Sequence, residues 1–293
     1  MILPTQRLRP IAKNRGFGGR LAVSWRMAWV LIILSVVGLA GSPALAGEAG
    51  ARRPVAEVLG QAVYADELAQ PATAGGPALD AAPLERALGE KLRTLVWTAV
   101  FEDYAKQRRI EPTAAEIESQ LRDHRRFKQE DKIRREKERE RLAKELKSPN
   151  LPEARRKQAQ QHLETLDRIE DHEARIAEER RDPEREKMWQ ESERRVTEYW
   201  VKRWKINQAL HREFGGRIVF QQAGWEPIDA YRKVLEQYEA KKAFVVRDRA
   251  LRDAVYGYFK FNFVYADESK AKFYFEKPYW ERTEAELKAA GFQ

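Results

Sequence analysis

The chain contains no cysteine among its 293 residues. This absence excludes disulfide bonds, a thiolate nucleophile, a cysteine-ligated metal site and a lipid-modified cysteine as an anchor. Histidine is scarce as well, and the four histidines are not spaced i, i+4 as ligands from one helix face would be: His124, His162, His172 and His211. The sequence therefore predicts no metal site and no cofactor.

Recognisable catalytic motifs are also lacking. No serine lies in a Gly-x-Ser-x-Gly turn, and the glycines at 18 and 19 are not followed by the lysine of a phosphate-binding loop. Acidic residues are so numerous, 46 in all, that pairs of carboxylates carry little information. We predict no catalytic residues, and the sequence does not indicate an enzyme.

Acidic residues are absent from residues 1–46, which hold six of the 55 lysines and arginines. The rest of the chain has 49 basic and 46 acidic residues, so the formal net charge of +9 belongs mostly to this first segment. Proteins that bind nucleic acid usually carry a basic stripe on the folded domain. The charge distribution therefore argues against a nucleic-acid partner.

The first segment has the three parts of a secretory leader. Basic residues extend to Arg26, an apolar run covers Met27 to Ala40, and a small-residue site, Ala44-Leu45-Ala46, follows. A run of 14 residues is short for a bilayer span, which needs about 20. We predict a signal peptide over 1–46, and hence a periplasmic protein. The alternative is an uncleaved signal anchor that would associate the protein with the inner membrane.

Beyond the leader, prolines and glycines divide the chain into long stretches that favour helix. These stretches predict helices at about 83–108, 113–147, 153–181 and 184–213, the second capped by Thr113 with Glu116. Apolar and polar residues alternate from Val55 to Tyr64, which predicts a short strand with a turn at Gly60, followed by Asp66 as a helix cap.

The last part of the chain carries signals of both helix and strand. Gly215 and Gly216 should end the fourth helix, and a strand is expected at about 217–221. Helices are expected at 227–241 and 248–264, whereas 271–280 is compatible with a helix or a strand. The overall expectation is a mainly α-helical protein with one short strand hairpin near its start and a helical C-terminal extension.

Aromatic residues are missing from 128–188, while 34 of the 58 residues from 130 to 187 are charged, 17 of each sign. Charges at i, i+4 spacing support an exposed helix. The pairs are Glu130 with Arg134, Asp131 with Arg135, Glu140 with Lys144, and Arg141 with Glu145. We predict a charged arm over 129–183, made of two antiparallel helices joined by the turn 147–152. Disorder is the alternative. A thin apolar seam should join the helices: Leu142, Leu146, Leu151, Leu163, Leu166, Ile169 and Ile176.

Two stretches resemble the N-terminal chaperone domain of the SurA family of periplasmic folding factors, which are related in function to trigger factor. The first is VAEVLGQAVYADEL at 55–68, and the second is the helix with its tail at 84–118. The matching positions lie in the strand, in the layers of the helix and in the tail: Val55, Val58, Gly60, Val63, Leu92, Leu95, Val96, Val100, Tyr104, Ala105, Ile110, Thr113, Glu116 and Ile117.

The resemblance implies a chaperone body built from 47–128 and completed by a returning helix at 184–214, with 215–293 as an aromatic-rich helical subdomain. Members of the family often carry a parvulin isomerase domain, and this sequence lacks its His-Ile/Leu-Leu strand and Gly-rich loop. The implied activity is ATP-independent holding of unfolded or nascent envelope proteins in an apolar groove. A divergent peptidyl-prolyl isomerase and an envelope assembly or scaffold factor with one dedicated partner are the alternatives.

Apolar residues of the two body helices are the candidate client-binding residues. Val196, Trp200 and Trp204 repeat at i, i+4 and i+8, which places them on one helix face. The full set is Trp97, Phe101, Tyr104, Trp189, Val196, Trp200, Trp204 and Phe214. The alternative is that these side chains fill the core. The aromatics after Tyr256 are interpreted as core of a small helical subdomain, because no basic stripe accompanies them to suggest base stacking.

Overall fold

A computed structural model describes residues 53–69, 81–221 and 224–291. The fold is mainly helical, as the sequence predicts, with nine α-helices and five three-residue strands in this part of the chain. The predicted signal peptide at 1–46 lies outside the described residues. Within the described ranges, no helix is both long enough and apolar enough to cross a bilayer.

The N-terminal strands form a hairpin, β1 (Ala56–Val58) and β2 (Gln61–Val63), with Leu59 and Gly60 in the turn. Both turn residues have positive φ angles, which glycine adopts without strain. Helix α1 (Ala65–Ala69) follows directly. The prediction that Asp66 caps this helix was wrong, because Asp66 is its second residue. At the helix start, the Tyr64 N–H donates instead to a Glu67 carboxylate oxygen at 3.1 Å.

Four long helices account for most of the chain: α2 (Ala81–Gln107), α3 (Ala114–Leu146), α4 (Glu153–Glu179) and α5 (Pro183–Phe214). All four predicted positions are confirmed to within two residues. Their ends follow from local chemistry. Thr113 and Glu116 form the expected capping box, Asp182 caps α5, and Gly215 ends α5 at a φ of 59°.

The C-terminal part contains more strand than the sequence suggests. Strands β3 (Val219–Gln221) and β4 (Gly224–Glu226) form a hairpin that leads into helix α6 (Ile228–Ala240). Strand β5 (Phe244–Val246) then pairs antiparallel with β1, so that the sheet order is β2-β1-β5.

The predicted helix at 248–264 is too long. Helix α7 (Arg249–Gly257) ends early and is followed by a 3₁₀ turn at Tyr258–Lys260 and an extended segment. The aromatic stretch at 271–280 is helical over its first half, in α8 (Glu268–Glu276), and continues into a 3₁₀ turn at Tyr279–Glu281. Helix α9 (Glu284–Ala289) closes the described chain.

Two hydrophobic cores hold the body together. The first lies among α2, α6, α7, the sheet and the C-terminal end of α5, and it includes Val96, Val100, Leu210, Tyr231 and Phe244. The second is smaller and joins the middle of α5 to the C-terminal segment through Val201, Trp204, Ile218, Phe275 and Trp280. Helix α5 therefore contributes to both cores.

The charged arm is the predicted antiparallel hairpin of α3 and α4, and its seam is thin. Leu142, Ala159 and Leu166 are buried there, with Leu146 and Leu163 partly buried beside them. Ion pairs cross between the helices: Arg135 with Glu173 at 2.6 Å, Arg139 with Asp167 at 2.6 Å, and Arg155 with Glu145 at 2.8 Å.

Two of the four predicted pairs within a helix of the arm form as expected. Asp131 lies 3.3 Å from Arg135, and Arg141 lies 3.0 Å from Glu145. The predicted partners Glu130 and Arg134 instead lie near Arg126 and Asp131, at 3.7 and 3.6 Å.

Candidate functional site

The structure divides the eight candidate client-binding residues among three places. Trp97, Phe101 and Phe214 border the first core, partly buried. Trp189, Val196 and Trp200 lie partly buried along α5. The remaining two, Tyr104 and Trp204, are buried in the first and second core respectively, so these two are core side chains rather than surface for a client.

The aromatic side chains of α2 face the C-terminal segment. Trp97 stacks on Phe259 at 5.2 Å between ring centroids, and its indole N–H donates to the Val255 carbonyl at 3.2 Å. Tyr258 meets Trp97 edge-on at 5.4 Å, and Tyr231 packs against Phe101 at 4.7 Å. The chain thus covers with its own aromatics much of the α2 surface that the sequence suggested for clients.

The segment that covers α2 continues into an exposed run of apolar side chains, which we call the aromatic loop, Tyr258–Tyr265. Phe261 is 61% exposed, Val264 92% and Tyr265 36%. Ring contacts connect the loop from the inside outward: Tyr258 to Phe263 at 5.1 Å, Phe261 to Phe263 at 6.1 Å, and Phe263 to Tyr265 at 6.4 Å. The rings of the loop thus pack on one another, and part of the loop remains exposed to solvent.

A second aromatic surface lies on α5 and consists of Trp189, Val196, Tyr199 and Trp200. Trp189, Val196 and Trp200 share one helix face, because their separations of seven and eleven residues are close to whole turns. Tyr199 is exposed and meets Trp200 edge-on at 5.3 Å. We call this set the α5 stripe.

One partly buried ion pair, Arg203 with Glu226, connects the α5 stripe to the aromatic loop. Arg203 donates to the Tyr199 hydroxyl at 3.1 Å and to Glu226 Oε1 at 2.7 Å. The Tyr258 hydroxyl donates to the other oxygen, Glu226 Oε2, at 2.8 Å. Tyr199 of the α5 stripe and Tyr258 of the aromatic loop are thereby linked through Arg203 and Glu226, and the two surfaces together form the candidate site.

The electrostatics of the site favour hydrogen bonding over proton transfer. Burial raises the pKa of the Tyr258 hydroxyl, and the neighbouring Glu226 carboxylate raises it further. Burial likewise raises the pKa of Tyr231, whose hydroxyl donates to Asn207 at 2.7 Å. Both tyrosines are therefore protonated donors at neutral pH, and neither is poised as a general base.

Metal ligation finds no support in the part of the chain that the structure describes, where no three acidic or histidine side chains cluster to hold an ion. Burial lowers the pKa of His211, which stacks on Phe275 at 4.8 Å. That histidine is neutral and serves as a packing group. The site therefore offers apolar surface, hydroxyl donors and one fixed ion pair.

Comparison with known proteins adds no identity to this geometry. No family model, curated protein or solved structure matches the chain.

The helix that the sequence predicts at 248–264 covers the aromatic loop, so the loop is not predicted as a surface. The signal was present in the alternation of Phe261, Phe263 and Tyr265, whose spacing of two is typical of an extended segment. Arg203 and Glu226 had no such signal, because single charges among 101 charged residues do not stand out. Only the fold brings them together.

Proposed function

We propose that the protein is an ATP-independent holdase of the cell envelope, which binds unfolded or nascent envelope proteins on the aromatic loop and the α5 stripe. The observation that carries the proposal is the exposure of Phe261, Val264 and Tyr265 in one contiguous loop. Exposed apolar side chains are common singly, whereas a clustered patch marks an interaction surface.

The energetics fit a broad and reversible binder. Burying an apolar side chain such as Phe261 or Val264 against a client contributes about 1.5–3 kcal/mol. The rings of the loop already pack on one another, so little side-chain entropy remains to be lost when a client binds. Aromatic rings also accept partners of varied shape, which suits clients that share only apolar character.

The charged arm supports the same proposal. Its surface is rich in both signs of charge, with side-chain ion pairs across the hairpin. Such a surface does not favour association with another copy of itself through apolar contact. The resemblance of the strand and helix at 55–118 to the SurA chaperone domain supports this proposal, and with it we propose a periplasmic location.

Aggregation of a chemically unfolded reporter enzyme, followed by light scattering, tests the proposal. The wild-type exported part should suppress aggregation near stoichiometric ratios. Phe261→Ser combined with Val264→Ser should raise the concentration needed for half suppression at least about tenfold, as expected from losing two buried apolar groups.

Ile133→Ser provides a matched control, because Ile133 is 51% exposed on the arm, away from the site. This control should suppress aggregation as the wild type does. A wild-type protein that fails to suppress aggregation at several-fold excess would refute the holdase assignment. A double variant as active as wild type would refute the site.

A further inference from the structure

Glu226 is the last residue of β4, and its side chain is only 8% exposed, which is unusual for a carboxylate. Each of its two oxygens accepts a hydrogen bond from a different element. Oε1 accepts from Arg203 on α5, and Oε2 accepts from Tyr258 at the start of the aromatic loop. One side chain thus connects the strand hairpin, helix α5 and the loop.

The burial of this group carries a cost that only its partners offset. Removing a carboxylate from water costs several kcal/mol, and the cost is recovered only where the geometry of the partners is good. Arg203 is not saturated by these contacts, because its buried Nε has no hydrogen-bond partner in the described chain. The arrangement is therefore better suited to fixing geometry than to maximising stability.

Tyr258 is the residue through which this geometry reaches the loop. Its ring contacts Trp97 on the inside, and Phe261 and Phe263 on the outside, at centroid distances of 5.4, 6.1 and 5.1 Å. At its far end the loop is attached by a β-bridge between Tyr265 and Val219, and the Arg217 guanidinium lies 4.1 Å from the centroid of the Tyr265 ring. At the near end, the Tyr258 hydroxyl is attached by its hydrogen bond to Glu226, and the Arg93 guanidinium lies 5.6 Å from the centroid of the Tyr258 ring.

We propose that Glu226 is the positioning residue of the aromatic surface. It holds Tyr258, and through it the aromatic loop, in one arrangement beside Tyr199 and Trp200, so that a client meets both surfaces at once. The inference rests on the proposed function for its effect on clients. The part of the inference that concerns structure, namely that Glu226 fixes the loop, does not depend on the proposed function.

The test compares Glu226→Gln and Tyr258→Phe with a matched control, Glu213→Gln. Glu213 makes a similar triad at the end of α5, accepting from the Tyr104 hydroxyl at 2.8 Å and from Arg108 at 2.7 and 2.9 Å. No member of that triad belongs to the aromatic loop or the α5 stripe. Tyr258→Phe removes one hydroxyl and keeps the ring, so it tests the same bond with little risk to folding.

Two readouts are taken at a temperature where every variant is folded. The first is hydrogen exchange of the amides at 258–266, and the second is the dissociation constant for a fluorescently labelled, permanently unfolded reporter polypeptide. Glu226→Gln and Tyr258→Phe should each speed exchange in the loop at least about tenfold and weaken reporter binding about three- to tenfold. Glu213→Gln should change neither.

Unchanged loop exchange in both Glu226→Gln and Tyr258→Phe would overturn the inference, as would faster exchange with unchanged reporter affinity. Equal weakening by Glu213→Gln would overturn it as well, because the effect would then reflect stability. If the wild type itself binds no reporter, the proposed function fails, while the exchange data still decide whether Glu226 fixes the loop.

Discussion

Truncating Leu142 to alanine should open the charged arm while leaving the body folded. Leu142 is nearly inaccessible and forms the buried part of the seam with Ala159 and Leu166. Replacing a buried leucine by alanine costs about 2–5 kcal/mol, and the cost is lowest where neighbours can collapse into the space. Because the seam has only two walls, α3 and α4, we expect about 2–3 kcal/mol.

The expected magnitude converts directly into a measurement. A loss of 2–3 kcal/mol raises the equilibrium for local opening about 30- to 150-fold, since each 1.4 kcal/mol is a factor of ten. Native-state hydrogen exchange should show this increase in peptides from 134–146 and 153–175, whereas peptides from α2 and α6 should keep their wild-type rates. Ile133→Ala, on the exposed side of the same helix, should change exchange little.

Either of two results would refute this prediction. If α2 and α6 exchange faster by the same factor in Leu142→Ala, the arm and the body unfold as one unit. If exchange in the arm does not change, the seam is not what holds the two helices together, and the ion pairs across the hairpin carry more of the stability than exposed pairs usually do.

Two further predictions concern the body. Burial, together with the charge of Lys128, lowers the pKa of His124 to about 4, whereas an unfolded histidine titrates near 6.5. The unfolded state therefore binds more protons between these values, and stability should fall by at most about 2 kcal/mol from pH 7 to pH 5. Urea unfolding should show that His124→Gln loses this part of the pH dependence; an unaltered dependence would count against it. Gly89→Ala should destabilise by about 1–3 kcal/mol, because its Cβ would lie 2.6 Å from the Cβ of Ala254. Gly257→Ala meets no atom within 4 Å at a φ of −60°, so it should stabilise by about 0.4–1 kcal/mol in thermal denaturation. A Gly89→Ala variant as stable as wild type would contradict the packing of α2 on α7, and a destabilised Gly257→Ala variant would contradict the open space beside Gly257.

The long helices could be predicted because their signals are local. Thr113, Asp182 and Gly215 stop or start a helix through bonds to residues within one turn, and such patterns are visible in any short window of sequence. The arm could be predicted for the same reason, since its charges pair within the hairpin and its turn contains two prolines.

The remaining elements depend on residues far away in the chain. Strand β5 has three residues and pairs with β1, and the residues around 244–246 contain no local pattern that predicts this pairing. Trp204 is buried because Trp280 covers it at 5.3 Å, although its spacing equally suits an open groove. Aromatic content alone does not separate core from surface, because both environments favour large rings.

The pairing of β1 with β5 also determines when, during synthesis, the three-stranded sheet can finish folding. Val58 pairs with Phe244, which lies 186 positions further along the chain, so the two partners are synthesised far apart in time. Until Val246 emerges, the central strand has one vacant edge, and a vacant edge can recruit a neighbouring chain. Any product that stops short of Val246 would keep that edge, and nascent copies held close together on one messenger would be exposed to pairing with each other.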